Sequence, residues 1–295
     1  MNTIKKLIKQ NRPNLSDSSI KTYVSILKNL YFKVFPSDED ISISKYDDKA
    51  DEVLKYLKSV EPLKRKTVLA SLVVLTGNDK YQKQMMEDIE DSKSEIYNQI
   101  KNDKQNESWI DTQEICEFFE IYKTQAKKLY RIKEKSMEDL QQIQNFIILA
   151  LLSGLFIPPR RLKDYCDFKI IEPNQNVDNY KHKNTFVFNS FKTSKTYIQQ
   201  VVPIPPELGR IINRWIKVNP TEYLLFDNNG NKLSNVQLVQ RLNKIFNGNI
   251  SVNQLRHTYM TDKYKSTSEQ NKMMAEDFKM MGSSIAQECV YIKIK

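Results

Sequence analysis

The twenty residues "FIILALLSGLFIPPRRLKDY" (146–165) decide how this chain is read. From Phe146 to Ile157 they offer no polar helical face, so this run belongs inside a protein core. It is too short for a bilayer span, which takes about 20 apolar residues. It also stops at Pro158-Pro159, which a helix interior does not tolerate. Two arginines, Arg160 and Arg161, come directly after the stop. A buried helix therefore carries the chain to a pair of cations.

Working outward, 295 residues with 40% hydrophobic side chains suffice for two domains, each with its own core. The formal charge of +10 favours an anionic partner, nucleic acid first and a membrane surface second. A Lys- and Asn-rich, Gly-poor composition can also reflect genome bias. Cys116, Cys166 and Cys289 are odd in number and widely spaced, which suits a reducing compartment. His182 and His257 are too few and too far apart for a metal cage, so no metal or cofactor is expected. The N-terminus lacks a signal-peptide apolar run, and a compartment with access to DNA is expected, not secretion.

The chain upstream reads as helical. In "SDSSIKTYVSILKNLYFKVF" (16–35), serines offer N-cap oxygens ahead of a helical repeat running from Ile20 to Tyr31. "EPLKRKTVLASLVVLTGND" (61–79) predicts a helix from Pro62 to a Gly77 stop. Lys64, Arg65 and Lys66 at its start, with Lys21 on the earlier helix, are candidate DNA-phosphate contacts or solvated cations. Polar "KNDKQNESWID" (101–111) predicts a linker, which gives a helical domain over 1–102, a linker at 103–111 and a second domain over 112–295. Downstream, helices are predicted at 112–130 and 137–154. "NTFVFNSFKTSKTYIQQVVPIP" (184–205) predicts two strands around a turn, and helical periodicity then returns. The fold class is mainly α with a small β-sheet.

Four features of the second domain come in a telling order: the arginine pair, Lys192 on the predicted hairpin, Arg256 in "SVNQLRHTYMTDKY" (251–264), and Tyr291 in "MGSSIAQECVYIK" (281–293). Together they resemble the tyrosine recombinases, or phage-type integrases. The resemblance covers roughly 112–295, and the helical N-terminal part is similar to the family's core-binding domain in position and pattern. The "PPRR…DY" form looks closer to crypton-like, giant-virus and virophage recombinases than to bacterial ones. The resemblance implies a mixed α/β catalytic domain, and a helical domain that clamps duplex DNA with it. It implies a metal- and ATP-independent reaction, duplex DNA as partner, and a dimer to tetramer on DNA.

Carried over residue by residue, the first arginine is Arg161, three positions before Asp164, with Arg160 as its rival or as a DNA contact. Lys192 takes the hairpin lysine position, with Lys195 as alternative or as a DNA contact. Arg256 matches the second arginine. Asn253 and Ser283 stand where the family places histidines, and the distance from Gly282 to Tyr291 is one residue short. His257 reads either as a buried structural histidine or as partial compensation.

The implied reaction is attack by the tyrosine oxygen on a phosphodiester, giving a 3′-phosphotyrosine and a 5′-hydroxyl. Guanidiniums suit the charge that develops on the non-bridging oxygens. A lysine can protonate the leaving oxygen, whereas Asn and Ser hydrogen-bond phosphate without shuttling protons. On a helix, Met281, Ile285, Cys289 and Ile292 form one stripe and Tyr291 lies about 100° from it. Alternative readings are a type IB topoisomerase-like enzyme and a catalytically decayed DNA-binding relative.

Overall fold

The computed structural model describes residues 2–99, 101, 103–194 and 198–281. The chain divides into two compact units, Met1–Lys101 and Asn102–Lys295. It is mainly helical with a small sheet in the second unit.

The first unit consists of α1 (Asn2–Asn11), α2 (Asp17–Val34), α3 (Lys45–Asp48), α4 (Ala50–Leu57), α5 (Pro62–Thr76) and α6 (Asp79–Asn98). Ser16 starts α2 by accepting a hydrogen bond from the Ser19 N–H at 3.2 Å. The helical repeat then buries Ile20, Leu27, Leu30 and Tyr31. Pro62 opens α5, and Gly77 ends it at φ 71°, a left-handed turn that costs glycine little.

Across α5 and α6, Arg65 grips Asp88 with two bonds, Nε to Oδ2 at 2.8 Å and Nη2 to Oδ1 at 2.5 Å. The Asp88 side chain is only 1% exposed, so this pair is internal architecture. Arg65→Met is expected to destabilise the unit by about 2–3 kcal/mol, because the buried carboxylate loses its cationic partner and keeps only neutral donors such as Gln84 Nε2 at 3.2 Å. A lowered urea midpoint at unchanged slope would register this. Hydrogen bonds from Arg65 hold the Asp88 carboxyl below its ordinary value. The pair's stabilisation is therefore present above the unfolded carboxyl pKa of about 3.9 and is lost as pH falls through the folded value. The variant is expected to lose that acid sensitivity.

The second unit runs α7 (Asp103–Glu107), α8 (Thr112–Leu129), α9 (Met137–Leu152), α10 (Leu162–Cys166), β1 (Phe168–Lys169), β2 (Asn179–His182), β3 (Thr185–Phe188), β4 (Gln200–Pro203), α11 (Pro206–Ile216), α12 (Asn235–Ile245) and α13 (Val252–Met280). The segment read as a linker holds α7, and its Ile110 is buried in this unit's core. The Ile110 carbonyl accepts from Thr258 Oγ1 at 2.6 Å, tying the segment to α13.

Both α8 and α9 begin with reciprocal capping boxes, Asp111 with Glu114 and Ser136 with Asp139. From Phe146 to Leu152 every residue of α9 is buried, as an apolar run with no polar face requires. Nearer its start two glutamines are buried as well. Gln144 accepts from the Phe226 N–H at 2.8 Å and donates to the Phe226 carbonyl at 2.9 Å, pairing its amide with a peptide unit. On the other side of the core, Trp215 of α11 stacks on Phe226 at 5.8 Å and donates to the Leu224 carbonyl.

The sheet has the order β1-β2-β3-β4 among the described residues. β1 runs parallel to β2, and the other neighbours are antiparallel, with Tyr180 opposite Val187 and Phe186 opposite Val202. Its inner face carries Phe186 and Phe188, which pack against Tyr165 and Phe168. This aromatic layer fixes α10, and α10 fixes the site.

Candidate active site

After Leu152 the chain turns at Gly154, whose φ of 86° is left-handed. A Cβ there would lie 2.8 Å from Tyr259 Cδ2, so glycine is what lets the end of α9 approach α13 closely. Pro158-Pro159 then leads into Arg160 and into Arg161, which takes the N-cap position of α10.

The two neighbouring arginines have different fates. Arg160 donates from Nε to Asp164 Oδ2 at 2.8 Å and from Nη1 to Gln200 Oε1 at 2.8 Å. Its guanidinium also lies over the Phe188 ring, 3.9 Å from the centroid. Arg160 is thus engaged inside the unit through Nε, Nη1 and its guanidinium face. Arg161 is half-buried and has no side-chain hydrogen bond or ion pair among the described residues. Arg256, the fifth residue of α13, is likewise half-buried and unpaired among the described residues.

Asp164 lies among these cations with its side chain 4% exposed. Burial pushes its carboxyl above the ordinary value, opposed by the charge and hydrogen bond of Arg160 and then by the charges of Arg161 and Arg256. Its Oδ1 has no hydrogen-bond partner among the described residues. Two unpaired guanidiniums from distant parts of the sequence thus act on one buried carboxylate.

Lys192 is exposed on the connection between β3 and β4, the hairpin position expected from the sequence. Fully buried Asn179 holds the start of that connection, donating to the Asp164 and Ser190 carbonyls and accepting from the Asn189 and Ser190 N–H groups. All its hydrogen-bonding capacity is used, and it couples the backbone beside the arginines to the chain leading to Lys192. Nothing in the sequence marks Asn179 for this role, because its partners come from both sides of it in the chain.

On α13, Val252, Leu255 and Thr258 face the core, and Asn253 and His257 share the exposed side one turn apart. The reading of His257 as a buried structural histidine is corrected, because the helix is anchored through those three neighbours. Ser283, Lys195 and Tyr291 lie outside the described residues. Cys166 offers no alternative nucleophile, since burial pushes its thiol up to about 12.

In the first unit Lys21 is exposed on α2, Lys66 is half-buried, and exposed Lys64 pairs with Glu61 at 3.0 Å. Arg65, read from sequence as a phosphate contact, has its guanidinium committed to Asp88. The sequence pattern could not reveal this, because Asp88 lies on the next helix.

No family model matches the chain, and no curated protein matches its sequence. Among solved structures it is similar to a lambda integrase(75-356) dimer bound to a COC′ core site, at 12% identity, covering 91% of this chain and 90% of that one, with a TM-score of 0.50. A lambda integrase tetramer bound to a Holliday junction matches at 12% identity and TM-score 0.49, over 90% of this chain and 69% of that one. XerA recombinase matches at 11% identity and TM-score 0.37, over 90% and 85%. The first of these shows a shared fold, mainly helical with a small mixed sheet.

Proposed function

We propose that this protein is a site-specific DNA recombinase or integrase that cleaves and rejoins strands through a 3′-phosphotyrosine. The observation that carries the reading is the pair Arg161 and Arg256, both half-buried, unpaired among the described residues and acting on Asp164. Held cations without an internal partner are suited to a phosphate arriving from outside. The fold shared with a lambda integrase bound to a core site supports the same substrate.

In this reading Arg161 and Arg256 bind the non-bridging oxygens of the scissile phosphate. Tyr291 gives its phenol proton to solvent and attacks phosphorus, and the P–O bond to the 5′-oxygen breaks. Lys192 protonates that oxygen. Asn253 and Ser283 hydrogen-bond the phosphate without transferring protons, and exposed His257 lies within one helical turn of Asn253. Arg160 acts as a positioning residue that fixes Asp164. Lys21, Lys64 and Lys66 add phosphate contacts, and a dimer or tetramer assembles on duplex DNA. The "PPRR…DY" form looks closer to crypton-like and giant-virus or virophage recombinases than to bacterial ones, which supports a role on a mobile element.

The test is incubation with a nicked suicide duplex followed by SDS electrophoresis. An SDS-resistant protein–DNA adduct is expected. Tight, salt-sensitive binding without an adduct would instead indicate a decayed DNA-binding relative. Relaxation of supercoiled plasmid without strand exchange would indicate a topoisomerase.

A further inference from the structure

A second basic surface lies at the opposite end of α9. Arg210, Arg214 and Lys217 recur at intervals of four and three on α11, so they share one face, and all three are exposed. Lys127, Lys128 and Arg131 are exposed where α8 ends. The two groups are joined by Arg214, whose guanidinium lies 4.0 Å from the centre of the Tyr130 ring. None of the six forms an ion pair among the described residues. The acids nearest in the chain are Glu134, exposed and without an ion pair among the described residues, Glu207 in the first turn of α11, Glu222, which pairs with Lys169 at 3.7 Å, Glu120, which pairs with Lys123 at 2.6 Å, and exposed Glu138.

We infer that this patch is a second nucleic-acid-binding surface that takes the phosphate backbone of a duplex without reading its sequence. Three features favour phosphate over an acidic protein. Cations come from two elements, the Arg214 guanidinium lies over the Tyr130 ring, and the exposed large apolar side chains nearby among the described residues are only Ile132 and Met137. A stable protein interface needs an apolar centre, whereas phosphate contacts do not. The patch is distinct from the candidate active site. It lies at the start of α9, whereas the chain reaches Arg161 only after the other end of that helix, whose 16 residues span about 24 Å. One bound duplex segment could not satisfy both at the same phosphates. The patch therefore suits a DNA arm flanking the cleavage site or a second duplex. The inference needs duplex binding and does not rest on strand cleavage.

The experiment measures fluorescence anisotropy of the full chain with a long labelled duplex of arbitrary sequence, across a salt series. Two triple variants are compared, R210Q/R214Q/K217Q and K127Q/K128Q/R131Q, so a folding defect in one element does not decide the matter. Each phosphate contact contributes about 0.9 to the slope of log K against log salt. Each variant is therefore expected to lose up to about 2.7 from that slope, so its affinity ratio between 50 and 200 mM salt shrinks by up to about 40-fold. Unchanged slopes in both folded variants would overturn the inference. So would variants that keep duplex binding but lose binding to poly-glutamate, which would assign the patch to an acidic protein. Adduct formation on a short suicide duplex spanning only a nick is expected to persist in both variants. If wild-type protein forms no adduct while its slopes shift as stated, cleavage fails and this inference stands.

Discussion

Arg161→Gln is expected to slow covalent adduct formation by about 10²–10³-fold while the unfolding midpoint stays within about 0.5 kcal/mol of wild type. Both halves follow from one observation. Arg161 has no hydrogen bond or ion pair among the described residues, so the fold loses little when its charge goes. The same absence leaves its guanidinium for the transition-state phosphate, where a fixed cation acts most strongly. Glutamine keeps length and polarity and removes the charge. Single-turnover adduct assays and urea denaturation together test the pair of outcomes.

Arg160→Met, one residue away, is expected to do the reverse first, costing about 3–5 kcal/mol of stability. Asp164 is 4% exposed and Arg160 supplies its direct hydrogen bond, so the variant leaves a buried carboxylate without its partner. The stacking over Phe188 and the bond to Gln200 are lost with it. Burial already raises the Asp164 carboxyl, and removing Arg160 raises it further. The variant should therefore recover stability as pH falls, because protonation relieves the unpaired charge. Arg160→Met with Asp164→Leu should recover much of the loss, since apolar replacement of a buried pair is often neutral. Urea midpoints for the four members of the cycle measure this.

These two arginines also mark where sequence reading reaches its limit. The buried α9 was legible because an apolar run with no polar face and a double-proline stop admit few other readings. The caps of α2 and α5 and the hairpin bearing Lys192 were legible for similar local reasons. Which arginine is free was not legible. The answer depends on Gln200 and Phe188, which the strands bring to Arg160 from well downstream. Arg65 failed as a free cation in the same way, through Asp88 on the next helix. His257 was open to two readings because helical phase cannot say which face of α13 the core takes. Thr258 settles it by bonding Ile110, in a segment that composition marked as a linker.

Mass spectrometry of the nuclease-trimmed adduct tests the central claim most directly. Wild-type protein trapped on a suicide duplex is predicted to carry a nucleotide 3′-phosphate on Tyr291, and Tyr291→Phe is predicted to form no adduct. An adduct that persists in Tyr291→Phe, or a nucleotide attached to any other residue, would contradict the account.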